Sequence, residues 1–230
     1  MNKFSIIIPC YNEKATIVEI VEKVKKSNLD NKEIIIVDDK STDGTREILQ
    51  KKGDNFVDQI IFHDDNLGKG ASIKSGLKAI SGDIIIIQDA DLEYNPQDYE
   101  KLIKPFKEEG ADVVYGSRFS GTASRRVIYF KNEIANRFLT FLSNLFNGLN
   151  LSDMETGYKC FTKKAIENIN LKEKGFGFEP EITAKLAKKK LKFFEVGISY
   201  SGRTYEEGKK IRPIDGIKAI ICIFKYNIFN

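Results

Sequence analysis

Residues 84–91 read Ile-Ile-Ile-Ile-Gln-Asp-Ala-Asp, so four consecutive isoleucines are followed at once by acidic residues. An uninterrupted apolar run of this length predicts a strand that is covered on both faces, as in a parallel sheet flanked by helices. The abrupt change to Gln88, Asp89 and Asp91 predicts that this strand ends at a polar surface. Both the sheet and a candidate site are therefore predicted from one short segment.

Three earlier apolar segments also predict strands, and they alternate with segments whose apolar residues have helical spacing. This alternation is typical of βαβ units. The predicted strands are Ile6–Ile8, Ile34–Val37, Phe56–Phe62 and Ile84–Ile87. The predicted helices between them are Ala15–Lys26, Thr42–Lys51 and Lys69–Ile80. With 230 residues, 41% of them apolar, the chain is predicted to form a single α/β domain around a mostly parallel sheet.

The second half of the chain does not continue this regular alternation of strands and helices. Strands are predicted at Val113–Tyr115 and Phe193–Val196, with a mobile loop at Gly116–Arg126. Helices are predicted at 127–146, at Glu179–Lys189 and over 213–228.

The composition excludes several classes of protein. The 37 basic and 33 acidic residues leave a net charge of +4, too small to indicate a nucleic-acid-binding protein. Three widely separated cysteines predict neither disulfides nor a zinc site and fit a reducing cytosol. The N-terminus has no room for a signal peptide, and the apolar run Ala219–Phe224 is too short to span a bilayer.

Polar side chains follow three of the predicted strands. Residues 9–13 read Pro-Cys-Tyr-Asn-Glu, residues 38–44 read Asp-Asp-Lys-Ser-Thr-Asp-Gly, and residues 88–91 read Gln-Asp-Ala-Asp. Ligands of open parallel sheets bind beyond the carboxyl ends of the strands, so these segments predict one site for a phosphorylated ligand.

Asp89 and Asp91 carry the clearest chemistry within this site. Two carboxylates one residue apart, just past a strand, can both reach Mg²⁺ or Mn²⁺, which prefer oxygen ligands and keep positions for substrate phosphates. Such a cation would neutralise a diphosphate leaving group. A solvated acidic turn is the alternative interpretation of this triplet.

The glycines of residues 67–72, Leu-Gly-Lys-Gly-Ala-Ser, do not complete a known phosphate loop. His63 stands where a Walker loop requires glycine, and Ile73 stands where the dinucleotide fingerprint requires its third glycine. The segment still predicts an anion site at a helix start, with Lys69 as a cation. His63 itself is interpreted as an exposed loop residue without a catalytic role.

Taken together, four motifs resemble the family-2 glycosyltransferases. The motifs are residues 9–13, residues 37–45, residues 66–70 and Asp89-Ala90-Asp91, in the order in which the family has them. The resemblance implies a GT-A fold, a nucleotide-diphosphate sugar as donor, inversion at the anomeric carbon and Mg²⁺ or Mn²⁺ as cofactor. It also implies a nucleotide-sugar-binding half at residues 1–95 and an acceptor-binding half at residues 96–230.

The resemblance also implies roles for individual residues. Pro9, Tyr11 and Glu13 are expected to line the nucleoside pocket, with the Tyr11 ring against the base and Glu13 on the ribose. Asp39 is expected to hydrogen-bond the base or ribose. The remaining donor-site residues are expected to be Lys69, Asp89, Ala90 and Asp91. Asp89 and Asp91 are the expected metal ligands, joined by Glu93 where several relatives have Gln.

Later segments resemble the branch that glycosylates polyprenyl phosphates, such as the dolichyl-phosphate mannose and glucose synthases. The segments are residues 116–119, 153–159 and 202–205. A phosphate acceptor is already anionic, so it needs no general base, and Arg118 and Arg203 are its expected cations, assisted by Lys209, Lys210 and Arg212. A glycan hydroxyl acceptor is the alternative and would need a base, for which the candidates are Asp153, Glu155, Glu179 and Glu181.

The helices at 127–146 and 213–228 have more apolar residues than one core-facing stripe needs. Basic residues accompany the first helix, at Arg125, Arg126, Lys131 and Arg137. This pattern predicts peripheral association with the cytoplasmic face of a membrane, while packing on the sheet or a homodimer contact remains open. A scaffold that binds nucleotide sugar without turnover is a further alternative from another functional class.

Overall fold

The computed structural model describes residues 2–121, 124–127, 129–204, 206–208 and 213–229. Lys209, Lys210 and Arg212, predicted to assist at phosphates, lie outside the described residues. One seven-stranded sheet forms the centre of the described chain, in the order β3-β2-β1-β4-β6-β5-β7. Its strands are β1 (Phe4–Cys10), β2 (Lys32–Asp38), β3 (Gln59–Phe62), β4 (Ile84–Ile87), β5 (Val113–Ser117), β6 (Lys159–Thr162) and β7 (Phe193–Gly197).

Helices connect most of these strands. They are α1 (Ile17–Lys25), α2 (Thr45–Lys52), α3 (Lys69–Leu77), α4 (Tyr99–Glu108), α5 (Phe130–Asn147), α6 (Lys163–Ile166), α7 (Phe178–Ala187) and α8 (Pro213–Ile228), with 3₁₀ turns at Gly53–Asn55 and Pro96–Asp98. None of the helices within the described ranges has the length and apolar character that crossing a bilayer requires.

The sheet is mostly parallel, as predicted. The strands β3, β2, β1 and β4 are parallel neighbours, and β7 is parallel to β5. The exception is β6, which lies antiparallel between β4 and β5. The carboxyl ends of β1, β2 and β4 therefore meet at one edge of the sheet.

The apolar runs are explained by two cores, one on each face of the sheet. Ile6 and Ile8 of β1 pack into one core, whereas Ile7 between them packs into the other. Ile86 and Ile87 of β4 divide in the same way. Each buried isoleucine contributes about 1.5–3 kcal/mol, so the fold depends on both faces.

A buried carboxylate joins the beginnings of three strands. Glu33 of β2 accepts hydrogen bonds from the Ser5 hydroxyl (2.5 Å), the Ser81 amide (2.6 Å) and the Ser81 hydroxyl, and it pairs with Lys3 (2.8 Å). Burial alone would raise the pKa of Glu33, but these interactions outweigh it and lower the pKa to about 2.

Several boundaries differ from the sequence predictions. The third strand begins at Gln59 rather than Phe56 because residues 53–55 form a 3₁₀ turn, and it is a half-exposed edge strand. The helix predicted from Thr42 begins at Thr45, because the Asp43 side chain accepts hydrogen bonds from the Thr45 amide and hydroxyl. Gly116 and Ser117, which were predicted to begin a loop, belong to β5. The strand β6 was not predicted.

Candidate active site

Acidic residues meet at the carboxyl edge of the parallel strands. Asp38 ends β2 and Asp39 follows it, while Asp89 and Asp91 follow β4. Because β1 lies between β2 and β4, Glu13 in the loop after β1 joins the same edge. The structure thus brings together the three polar strand ends that the sequence singled out.

Arg203 lies on the acidic group that follows β4. Its guanidinium contacts Asp91 at 2.8 Å, Glu13 at 3.2 Å and Glu93 at 3.6 Å. Burial raises the pKa of Asp91 to about 7, and the negative charges of Asp89, Glu93 and Glu13 add to this effect, while Arg203 opposes it. This cluster therefore holds more negative charge than it can bury without cations.

Lys69 is a second cation at this edge. Its ammonium lies 2.8 Å from Asp89 and 3.1 Å from Glu179. Burial alone would lower the pKa of Lys69, but these carboxylates outweigh it and hold the pKa above its ordinary value. Gly157 packs against Asp89 so closely that an added Cβ would overlap the carboxylate.

Glu93, predicted as a third metal ligand, has other partners in the structure. Its carboxylate accepts hydrogen bonds from the Tyr200 hydroxyl (2.8 Å) and the Arg203 amide (2.7 Å). In the described part of the chain, no three His, Cys, Asp or Glu side chains are arranged as a metal-holding group. The metal-binding role of Asp89, Asp91 and Glu93 stays a prediction.

The backbone amides at the start of α3 bind a carboxylate of the protein itself. The amides of Leu67 (2.9 Å) and Gly68 (2.6 Å) donate to the carboxylate of Asp39. Gly68 has φ +94°, and a Cβ there would meet the Lys174 carbonyl at 2.6 Å, so glycine is required. Two amides before this helix are thus engaged by Asp39, and the anion site predicted at the helix start with Lys69 stays a prediction.

The interpretation of His63 as an exposed loop residue is wrong. Its side chain is buried, with Nδ1 2.7 Å from Asp39 and Nε2 2.8 Å from the Ser75 hydroxyl. Neighbouring Asp38 pairs with Arg46 at 2.7 Å. No sequence signal identified this histidine, because its two partners lie 24 and 12 residues away.

The predicted nucleoside residues lie on and beyond β1. Pro9 is part of β1, and the Tyr11 side chain in the following loop is 37% exposed, so its ring is accessible to a base. The Ala90 side chain packs into the core, so a ligand could contact only its backbone. Roles for all three residues stay predictions.

Arg118, predicted to bind a phosphate, makes a buried ion pair. Its Nε and Nη2 donate to Asp153, both at 2.7 Å, and its amide donates to the same carboxylate at 3.0 Å. Its guanidinium also lies over the Tyr200 ring, 5.3 Å from the centroid. Binding of a phosphate by Arg118 stays a prediction and would compete with Asp153.

The four candidate bases fall into two pairs. Asp153 is bound to Arg118, and Glu181 accepts from the amides of Lys172 and Glu173, both at 2.7 Å. Glu155 and Glu179, by contrast, each have one buried carboxylate oxygen to which no group among the described residues donates a hydrogen bond. Burial, together with the charge of Glu179, raises the pKa of Glu155 to about 8.

A cavity adjoins the site, and an apolar surface lies on two of the later helices. The cavity is lined by Arg126, Val127, Tyr129, Gly202, Arg203 and Thr204. Helices α5 and α8 pack side by side, with the Phe146 and Phe224 rings 5.1 Å apart. Their outer side chains form what we call the apolar face: Phe130, Ile134, Phe138, Phe141, Leu145, Ile214, Ile217, Ile221 and Ile228, each at least half exposed.

Comparison with known proteins agrees with this geometry. The sequence model described as "Glycosyl transferase family 2" matches residues 5–169. The chain is 30% identical over 229 residues to the uncharacterized protein MJ1222 of Methanocaldococcus jannaschii, covering 97% of this chain and 92% of that protein. This chain therefore belongs to glycosyl transferase family 2, and it is a glycosyltransferase.

Relatives with named activities align over most of this chain. A UDP-N-acetylglucosamine–dolichyl-phosphate N-acetylglucosaminyltransferase of Methanococcus voltae is 29% identical, covering 93% of this chain and 91% of that enzyme. A dolichol-phosphate mannosyltransferase of Pyrococcus furiosus is also 29% identical, and the match covers 91% of this chain but 60% of that enzyme.

Solved structures confirm the fold. Glucosyl-3-phosphoglycerate synthase of Mycobacterium tuberculosis, in complex with Mn²⁺, uridine diphosphate and phosphoglyceric acid, superposes with a TM-score of 0.75. The match covers 100% of this chain and 80% of that one at 19% identity. The predicted GT-A fold is confirmed.

Proposed function

We propose that this chain transfers a hexose from a UDP- or GDP-sugar to a polyprenyl phosphate, with inversion and with Mg²⁺ or Mn²⁺ as cofactor. The supporting observation is the group of carboxylates that Arg203 and Lys69 neutralise at the ends of β1 and β4. A nucleotide diphosphate together with a divalent cation would match this mixture of charges. The dolichyl-phosphate activities named for two relatives support the acceptor.

The residues after β4 fit a divalent cation. Asp89 and Asp91 supply hard oxygen ligands, and the raised pKa of Asp91 indicates a carboxylate that a further cation would stabilise. When bound, the cation would stabilise the charge of the diphosphate leaving group. Asp89 and Asp91 would hold it, with Glu93 available if the Tyr200 and Arg203 contacts rearrange.

The donor nucleoside is proposed to lie beyond β1 and β2. The exposed Tyr11 ring offers a surface for the base, and the buried carboxylate of Asp39 is proposed to accept a hydrogen bond from it. Glu13 is proposed for the ribose. It also accepts from the Thr16 hydroxyl at 2.9 Å and from Arg203, so its orientation is fixed from two sides.

A phosphate acceptor needs positioning rather than deprotonation. Two arginines, Arg126 and Arg203, line the cavity beside Val127 and Tyr129, so cationic and apolar groups lie together there. This pairing suits a phosphate attached to a hydrocarbon chain. Arg203 would hold the acceptor anion against the donor, and positioning with charge neutralisation would provide the catalysis.

The apolar face is proposed to lie on a membrane. Nine of its side chains on two neighbouring helices are at least half exposed, which is more than scattered surface residues explain. The nearby basic residues are largely paired, since Arg125 and Arg137 contact Glu133 and Arg126 contacts Glu207. Apolar contact rather than charge would therefore dominate the binding.

A screen of donors and acceptors tests the proposed function. Purified protein is incubated with Mn²⁺ or Mg²⁺, undecaprenyl phosphate and labelled UDP-glucose, UDP-N-acetylglucosamine or GDP-mannose. Transfer of label from one donor into the organic phase is the expected result. Label that enters only water-soluble glycan, or no product with any donor, would contradict the polyprenyl phosphate acceptor.

A glycan hydroxyl is the second candidate acceptor, and one observation favours it. In the part of the chain that the structure describes, Glu155 and Glu179 each have a buried oxygen that accepts no hydrogen bond, as expected of a base that awaits a hydroxyl. Against this role, burial and the nearby charge of Glu179 raise the pKa of Glu155, which disfavours the ionised form that a base needs. The phosphate acceptor therefore remains our proposal.

A further inference from the structure

His63 is the single histidine of this chain, and both of its ring nitrogens have partners. The residue directly follows β3, where its amide donates to the Asp38 carbonyl (2.9 Å) and its carbonyl accepts from Arg46 (2.5 Å). Backbone contacts on both sides therefore fix the imidazole between β2 and α3. Partners for both ring nitrogens and hydrogen bonds to both backbone groups are more than a histidine that only fills space in the core would require.

The partners determine the tautomer of the ring. An ionised carboxylate only accepts hydrogen bonds, so Nδ1 must carry the proton that it shares with Asp39. In a neutral imidazole Nε2 then accepts from the Ser75 hydroxyl. A directed chain of hydrogen bonds thus runs from Ser75 in α3 through His63 to Asp39.

Within the described residues, these contacts leave the buried Asp39 carboxylate with one acceptor position that no protein group fills. Oδ1 accepts from His63 and from the Leu67 amide, while Oδ2 accepts from the Gly68 amide. A carboxylate has about four acceptor positions, so about one remains, on Oδ2. Uracil and guanine both present a ring N–H that this position could accept.

We propose that His63 is a positioning residue for the donor nucleotide, holding Asp39 so that Oδ2 is presented to the base. This inference rests on the proposed function and adds a residue to it. Without the imidazole, Oδ1 would keep only the Leu67 amide as donor, and the carboxylate would be held less firmly in this orientation. Lys69 begins the helix that Ser75 anchors, so the imidazole also links the base site to the cations near Asp89.

Binding of nucleotides by two variants tests the proposal. His63→Phe keeps an aromatic ring without donors, whereas His63→Asn places an amide N–H near the position of Nδ1. With Mn²⁺ present, we expect His63→Phe to weaken UDP or GDP binding roughly ten- to thirtyfold, as for loss of a hydrogen bond to a charged group. His63→Asn should recover most of this loss.

Inorganic pyrophosphate provides the matched probe, because it lacks a base. Its affinity with Mn²⁺ should be the same in native protein and both variants, whereas a general structural defect would weaken it too. Equal UDP and GDP affinities in native protein and His63→Phe would overturn the proposal. If native protein binds neither UDP nor GDP, the proposed function fails first, so the two failures are distinguishable.

Nitrogen NMR of the native protein tests the geometry even if a variant fails to fold. With one histidine, the two ring nitrogens give unambiguous signals. We expect the Nδ1–H tautomer and a shift of the Nδ1 signal when UDP or GDP binds, but not when pyrophosphate binds. An Nε2–H tautomer, or an unchanged signal on nucleotide binding, would contradict the positioning role.

Discussion

The guanidinium of Arg203 lies 2.8 Å from the carboxylate of Asp91, although 112 residues separate the two in the chain. The same guanidinium contacts Glu13 and Glu93, so three acidic side chains share one cation and are only partly neutralised. The remaining positive charge is what a divalent cation would supply in the proposed enzyme. Arg203 and a bound cation are therefore expected to have overlapping electrostatic effects.

Removing the Asp91 charge should abolish metal-dependent transfer without unfolding the protein. Asp91→Asn keeps the size of the side chain but removes a hard ligand, so we expect at least a roughly hundredfold loss of transfer. Circular dichroism should remain native. Transfer of label at the native rate by Asp91→Asn, or by Asp91→Ala, would show that the metal site is misassigned.

Mn²⁺ should stabilise the native protein. At about 100 times its dissociation constant a ligand adds about 2.7 kcal/mol, or roughly 5 to 10 °C in Tm for a domain of this size. Thermal unfolding with and without Mn²⁺ measures this shift, and Asp91→Asn is the matched control, with a shift below about 1 °C. Equal shifts in the two proteins would place the bound Mn²⁺ elsewhere.

Arg203→Ala should destabilise the metal-free protein by about 2 kcal/mol, because it leaves partly buried carboxylates without their cation. Mn²⁺ should recover part of this loss, so the variant should gain more from Mn²⁺ than native protein does. Urea unfolding at two Mn²⁺ concentrations measures both effects. An equal gain in native protein and variant would argue against the overlap of Arg203 with the cation.

Glu155→Gln and Glu179→Gln separate the two acceptor classes. For a phosphate acceptor we expect each variant to keep transfer within about threefold, since no base is needed. Loss of a general base would instead cost roughly 10² to 10⁴. A loss of that size in either variant, measured with undecaprenyl phosphate, would favour a hydroxyl acceptor.

Charged residues in the apolar face should weaken membrane binding. Phe141→Asp and Ile221→Asp each place a carboxylate at an exposed apolar position, whereas Gln50→Asp makes a charge change in exposed α2. In flotation with liposomes that contain anionic lipid, native protein and Gln50→Asp should float, and the other two should remain below. Native protein that stays wholly in the soluble fraction would contradict membrane association and leave a dimer contact to be tested by ultracentrifugation.

Low pH should weaken the hydrogen bonds and the ion pair that Glu33 makes. Its folded pKa of about 2 lies below the ordinary value of 4.5, so its contribution is present above pH 4.5 and is lost as the pH falls toward 2. The loss is on the order of 3 kcal/mol. The unfolding free energy, measured from pH 6 to pH 2.5, should fall less steeply in Glu33→Gln than in native protein. Equal slopes in the two proteins would contradict this role of Glu33.

The sequence predicted those strands and helices whose positions follow from the local pattern of apolar residues. Runs such as Ile84–Ile87 identified buried parallel strands, and the acidic residues after them marked the site. The strand β6 was missed because its four residues, Lys159–Thr162, carry no apolar run and depend on antiparallel pairing with β4 and β5. Contacts of Arg203 and His63 were missed because they join distant segments.

A divalent cation and a diphosphate are proposed to bind together at Asp89 and Asp91. A crystal grown with Mn²⁺ and either UDP or GDP tests it most directly, through the anomalous signal of manganese. We expect a single strong manganese peak within ligand distance of both carboxylates and of the diphosphate oxygens. A manganese peak or a nucleotide bound away from Asp89 and Asp91 would contradict it.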